Sequence, residues 1–288
     1  MQLITINDNT YPQKLLSIHN PPPQLYVEGN EKLLNNTSIA IVGSRKFTNY
    51  GEKYTKEFAS VLSANNICIV SGLALGIDSI AHQNSMMNIG KTIAVIGSGF
   101  NNIYPPENAN LVKQILENNG CVISEYSPEM PADMSNFPKR NRIIVGLSSG
   151  VLVTEAAQRS GSTLTGNLAL KENKKVFCLP RNIEELKGIG TNMLIQKGAK
   201  LVLHPNDILK DLEIEPLNIN YTESISIAPP FIPNEYKEIY NFLSNTPINV
   251  NTLSRKTTLS INELSSKLTM MEIEGYIKSL PCNEYVRL

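Results

Sequence analysis

The chain has 288 residues, 41% of them hydrophobic, so it is long enough for one large domain or two and apolar enough to bury a core. Its 26 Lys and Arg balance 26 Asp and Glu, which excludes a histone-like or polybasic protein. The four cysteines, Cys68, Cys121, Cys178 and Cys282, stand far apart with no CxxC pair, which argues against zinc. The neutral total hides an asymmetry. Residues 1–36 carry 2 basic and 3 acidic side chains, residues 37–210 carry 18 and 13, and residues 211–288 carry 6 and 10. A polyanion would therefore meet the middle segment. The opening MQLITINDNTYPQ has no basic start followed by an apolar stretch, so no signal peptide is read. No apolar run approaches the ~20 residues needed to cross a bilayer, so the expectation is a cytoplasmic protein without a membrane partner.

Residues 1–36 read as a lead-in that packs on the core, stiffened by Tyr11-Pro12 and Pro21–Pro23, with Leu25–Val27 as a small strand. Short apolar runs then recur at Ile39–Val42, Ile67–Val70, Thr92–Ile96, Cys121–Ile123, Val151–Val153, Val176–Leu179 and Leu201–Leu203. β-Branched runs closed by Gly, Ser or Pro suit strands buried on both faces, and three of the cysteines fall inside them as buried thiols. Between the runs, Tyr54, Phe58, Val61 and Leu62 share one helical face, and 76–89 and 161–172 are helical in composition. Alternating strands and helices predict a Rossmann-like, doubly wound and mainly parallel α/β sheet over 37–210, with ligands beyond the carboxyl ends of its strands. The proline-bearing segment 211–234 reads as a linker. After it, Tyr236, Ile239, Tyr240 and Leu243 form a helical face, and Ser260–Glu263 is a capping box for a helix that turns Leu264, Leu268 and Met271 inward. Two short strands around a Pro-Cys-Asn-Glu turn complete a small winged-helix domain over 235–288.

Three enzyme motifs fail on their own terms. Gly97-Ser98-Gly99 lacks the third glycine of a dinucleotide fingerprint, and the second strand of the domain ends in Ser71-Gly72 rather than an acid for a ribose, so no cofactor is expected. Gly161–Gly166 has the spacing of a phosphate loop, but Asn167-Leu168 replace the Lys and hydroxyl that hold the outer phosphates and Mg²⁺. Gly146–Gly150 matches GxSxG, yet a helix precedes and a strand follows, the reverse of a nucleophile elbow.

Three other segments are predicted to face one edge of the sheet. They are Gly43-Ser44-Arg45, the cation-rich Phe137–Arg142, and the hydroxyl-rich Ser160–Thr165 at a helix start. Close-approaching glycine backbone, N–H and hydroxyl donors and guanidinium forks make an anion site. These segments occur in order with Ser71–Asp78, Ala81-His82, Gly97–Pro105, Ser124-Glu125 and Val153–Glu155. The set closely resembles the DNA-processing protein A (DprA, or Smf) family of bacteria over about residues 11–205.

The resemblance implies a homodimer that binds single-stranded DNA without strong sequence preference. It also implies a role in loading the RecA recombinase onto strands coated by single-strand-binding protein, in natural transformation and recombination, with no catalytic residues. On the matching positions it places the DNA pocket at Gly43, Ser44 and Arg45 and at Lys139, Arg140, Asn141 and Arg142. Phe137 is a candidate stacking face, and Ser160, Gly161, Ser162, Thr163 and Thr165 are candidate donors. Arg45→Ala and Arg140→Ala are each expected to weaken oligo-dT binding and flatten its salt dependence. One departure stands out. The family has Pro-Gly after the sixth strand, whereas this chain has Pro180-Arg181 followed by an acidic stretch.

Asp78, His82 and Glu155 read as structural groups near the pocket. Asp78 is expected to satisfy the first N–H groups of its own helix, His82 to hydrogen-bond Asp78, and Glu155 to orient a cation in the pocket. The helix from Ser260 to Glu274 carries Lys267 against Glu263, Glu272 and Glu274, a poor composition for duplex DNA, so the winged helix is expected to contact protein or its own partner domain. The main rival is a nucleotide-processing enzyme similar to the lysine-decarboxylase-like phosphoribohydrolases. The nearest approach to their glycine loop, Gly188–Thr191, has one glycine too few and no glutamate after it. A transcription factor led by the winged helix is a third reading.

Overall fold

The computed structural model describes residues 1–217, 232–244 and 246–287. It comprises two compact units, Met1–Ile219 and Asn220–Leu288. In chain order the first holds β1 (Gln2–Thr5), α1 (Gln13–Leu16), β2 (Gln24–Gly29), β3 (Ser38–Val42), α2 (Asn49–Ala64), β4 (Cys68–Ser71), α3 (Ile77–Ser85), β5 (Thr92–Val95) and α4 (Ala109–Glu117). It continues through β6 (Cys121–Ser124), α5 (Asn136–Leu147), β7 (Gly150–Val153), α6 (Gly161–Lys171), β8 (Lys175–Cys178), α7 (Ile189–Gln196), β9 (Lys200–Leu201) and α8 (Pro205–Asp211).

These strands form one sheet in the order β1-β2-β6-β5-β4-β3-β7-β8-β9. From β6 to β9 all neighbours are parallel, and the direction of winding reverses between β3 and β7. The physical reason for the continuous apolar runs is visible in β3. Ala40 and Val42 enter the core on one face of the sheet while Ile39 and Ile41 enter the core on the other. The result is a Rossmann-like doubly wound sheet whose strand ends, and the loops after them, share one edge.

The lead-in does more than pack. β2 joins the sheet antiparallel to β6, with Tyr26 opposite Ser124, and β1 pairs with β2 beyond it. β1 escaped the sequence reading because its four residues bury only Ile4 well. α1 docks through Leu15 on α5 at Gly146, where an added Cβ would stand 2.7 Å from the Leu15 side chain. The linker expected over 211–234 begins too early. Leu212 and Ile214 pack on the core, and the Leu217 N–H donates to Asn65 Oδ1 at 2.7 Å. Residues 218–231 of that segment lie outside the described residues.

The second unit contains α9 (Lys237–Phe242), β10 (Ile248–Asn249), α10 (Val250–Lys256), α11 (Ile261–Ile273), β11 (Ile277–Leu280) and β12 (Glu284–Arg287). The Ser260–Glu263 capping box is formed in both directions, and Leu264, Leu268 and Met271 are buried against Ile239 and Leu243. The strands order as β10-β12-β11, a winged-helix arrangement with β10 as an unanticipated third strand. Among the described residues no helix is long and apolar enough to cross a membrane.

Candidate nucleic-acid interface

The loop after β3 is held tightly so that one side chain stands out. Gly43 lies where a Cβ would meet Ile77 at 2.6 Å, so only glycine lets the loop approach α3 this closely. The Ser44 hydroxyl accepts from Lys46 N–H at 3.2 Å and donates to Lys46 O at 2.9 Å, while Ile77 N–H donates to Ser44 O at 3.2 Å. Ser44 is thereby spent on shaping the turn, and Arg45 is exposed at its apex.

Arg45 forms one wall of a small, open cleft beyond the ends of β3, β4 and β5. Gly72, Ala74 and Leu75 form a second wall, and Tyr104, Pro105 and Phe137 a third. The Tyr104 and Phe137 rings lie 5.4 Å apart at 34°, with Phe137 seated on Gly97 and Tyr104 40% exposed. Tyr104 lines the cleft but was not among the candidate residues read from the sequence. Its signal was an aromatic in the Gly97–Pro105 motif just after a strand.

Arg140 also reaches this cleft, but its role differs from the one expected. It is 5% exposed, and its Nη1 donates to Gly72 O at 2.7 Å and to Val95 O, while Nε donates to Asn141 Oδ1 at 3.2 Å. Burial pushes the guanidinium down to about 10, with Asp78 opposing and Arg45 adding to the shift, so it remains a cation at neutral pH. Arg140 ties the ends of β4 and β5 together from beneath the cleft. Asp78 accepts from Gly72 N–H at 3.0 Å and Ala74 N–H at 3.4 Å, in the loop before its helix rather than in the helix itself. Burial raises its pKa against the opposing charge of Arg140.

His82 does not bond Asp78. Its Nδ1 lies 2.7 Å from Thr92 Oγ1. The Thr92 hydroxyl donates to Ile69 O at 2.7 Å, so Nδ1 must be the donor to Thr92, and Nε2 is buried without a partner among the described residues. Burial first, and then the charge of Arg140, push the imidazole down to about 3. The unfolded chain thus takes up a proton near pH 6.5 that the folded chain refuses down to about 3. Stability contributed by neutral His82 is lost as pH falls through that window, by about 2 kcal/mol between pH 7 and 5. Urea titrations at the two pH values are expected to show this loss in the unaltered chain and not in His82→Gln. The same pH dependence in both would refute the assignment.

The remaining expected donors are largely engaged elsewhere. Lys139 is exposed on α5 and is not among the residues that line the cleft. Arg142 forms a fork on Glu125 at 2.8 and 2.6 Å and donates to Asn20 O at 2.7 Å, so it anchors the lead-in rather than offering itself to phosphate. Asn141 Nδ2 donates to Thr165 Oγ1 at 3.0 Å. Ser160 caps α6 by accepting from Thr163 N–H at 3.2 Å and lies 3.1 Å from Ser162 Oγ. Thr163 donates to Ala157 O and Thr165 to Gly161 O. Hydroxyls that satisfy their own helix have less to give a ligand. Of the three segments expected to converge, the first two line the cleft, and Ser160–Thr165 sits behind Asn141.

The crevice between β3 and β7, where a doubly wound sheet commonly holds a nucleotide, is filled by the chain itself. Glu155, fully buried after β7, accepts from Thr48 N–H at 3.2 Å and from the Thr48 hydroxyl at 2.6 Å, at the start of α2. A Cβ on Gly51 would strike its Oε2 at 2.4 Å. A carboxylate thus occupies the helix start that would otherwise receive phosphate. The cation beside Glu155 is Arg181, at 3.5 Å, which the sequence marked only as a departure. The other tested motifs resolve as packing. Ser148 is buried with its hydroxyl donated to Ile144 O, and a Cβ on Gly190 would stand 2.4 Å from Thr163 Oγ1.

With this geometry in place, comparison with known proteins is decisive. Residues 2–213 match the family described as DNA recombination-mediator protein A. The chain belongs to that family. Residues 228–281 match the DprA winged helix domain, so the second unit too has its counterpart in the family. Protein Smf of Escherichia coli is 37% identical over 297 residues, covering 99% of this chain and 77% of its own. The X-ray structure of DprA from Streptococcus pneumoniae superposes with a TM-score of 0.69 at 42% identity, covering 74% of each chain. DprA of Helicobacter pylori, described for its single-stranded DNA binding mode, gives a TM-score of 0.66 at 33% identity over 74% of this chain and 96% of its own.

Proposed function

We propose that this DprA-family chain binds single-stranded DNA without strong sequence preference and does no chemistry on it. The observation that carries the reading is the cleft beyond β3–β5, where exposed Arg45 faces the Tyr104–Phe137 ring pair. A cation for the backbone beside rings for bases is the arrangement that takes unpaired strands of any sequence, because every base has a π-face. The excess of 18 basic over 13 acidic residues in 37–210 supplies the wider field. The self-filled β3–β7 crevice counts against the nucleotide-processing alternative. The reading extends to a homodimer that helps load RecA onto strands coated by single-strand-binding protein, in natural transformation and recombination. The family's description as recombination-mediator protein A supports the recombination role within that reading. In the winged helix, acidic α11 supports a protein contact over duplex DNA.

Gel-shift titration with oligo-dT, an unrelated duplex and AMP as competitor tests the core of this proposal. Preference for oligo-dT that AMP leaves unchanged is the expected result. AMP turnover, or tighter duplex than single-strand binding, would overturn it.

A further inference from the structure

We propose that Arg181 is a positioning residue for the strand-binding site, fixing the loop that carries Arg45 without touching DNA itself. The inference rests on the reading of Arg45 given above. Arg181 follows β8, and its side chain is only 3% exposed. Asn192 on α7 holds its backbone from both sides, accepting from Arg181 N–H at 3.3 Å and donating to Arg181 O at 3.0 Å. From that base the guanidinium stacks 4.4 Å over the Tyr50 ring and pairs with Glu185. Nη1 lies 3.5 Å from Glu155 Oε2, and both Nη atoms donate to Thr48 Oγ1 at 3.3 Å.

Thr48 is where the Arg45 loop ends and α2 begins. The loop is thus pinned twice, near its start by Ile77 N–H on Ser44 O and at its end by Thr48 in the grip of Glu155 and Arg181. Without Arg181 the second pin fails for a physical reason. Glu155 is 0% exposed, and an uncompensated carboxylate there must draw in water, which weakens its hold on Thr48. A glycine at this position could make none of these side-chain contacts.

The test uses the full chain with Arg181→Gly and Arg181→Lys, each alone and combined with Arg45→Ala, in oligo-dT titrations. If Arg181 acts through Arg45, Arg181→Gly weakens binding about 5-fold when Arg45 is present and less than about 2-fold when it is Ala. Arg181→Lys keeps the charge but not the fork, so it gives a smaller loss with the same dependence on Arg45; it carries the comparison if the glycine variant does not fold. A second readout needs no DNA. The chain has no Trp, so Phe47→Trp places a single indole in the loop. Its anisotropy is expected to fall with Arg181→Gly and to fall by less with Arg181→Lys.

Equal weakening by Arg181→Gly in both Arg45 backgrounds overturns the inference, as does an unchanged anisotropy. Normal oligo-dT binding by Arg45→Ala overturns the parent reading and this inference with it, which is a distinguishable result.

Discussion

Replacing Arg140 with alanine is expected to destabilise the first unit by about 2–5 kcal/mol, since two buried carbonyls lose a charged donor at about 1–3 kcal/mol each. Three groups lose their partner at once. Gly72 O and Val95 O are left as buried acceptors, and Asp78 loses the cation that opposes its burial. The bond to Gly72 spans 68 residues and the bond to Val95 spans 45, so the substitution cuts a tie between β4 and β5 rather than trimming a surface contact. Urea titration followed by far-UV circular dichroism measures the effect, with exposed Lys139→Ala as a control expected to change stability by less than about 0.5 kcal/mol. A loss below about 1 kcal/mol for Arg140→Ala would mean its bonds are not as assigned. The sequence alone placed Arg140 beside Arg45 as a phosphate contact. Its burial predicts instead that any lost DNA binding follows lost structure.

Arg45→Ala and the two aromatic substitutions are expected to separate cleanly in oligo-dT binding. Arg45 is exposed at the cleft mouth, so its removal deletes a backbone contact without a folding cost. Affinity is expected to drop about tenfold, and the log–log salt slope to shrink by about 0.7, the value of one neutralised phosphate on a single strand. Tyr104→Ala and Phe137→Ala remove stacking rather than charge, so each should cost about 1–3 kcal/mol with the slope unchanged. Phe137 also packs on Gly97, and its loss is expected to lower stability more than loss of the 40% exposed Tyr104. Filter binding across a salt series reads both quantities. If Arg45→Ala leaves the slope intact, or neither ring matters, the cleft is not where DNA binds.

The division between what was legible and what was not follows the range of the interactions. Short β-branched runs such as Ile39–Val42 announce buried strands because alternate residues fill cores on opposite faces. The Ser260–Glu263 box is equally legible, since both partners of each bond lie within one turn, whereas Ser160, read as a donor for DNA, proves to cap α6. The motif order from Gly43 to Thr165 was enough to point to the family, and the alternation of strands and helices was enough to predict the sheet edge where a site forms.

Which cation faces solvent was not legible at all. Arg45, Arg140, Arg142 and Arg181 have the same fork and the same charge. Their fates are set by Gly72 and Val95 beneath Arg140, Glu125 and Asn20 beside Arg142, and Thr48 and Glu155 around Arg181. Those partners stand between 17 and 133 residues away along the chain. A sequence pattern records what neighbours within a few residues require of each other. Only the folded sheet, by bringing distant carbonyls and carboxylates to one edge, decides which guanidinium is consumed by structure and which is left for a ligand.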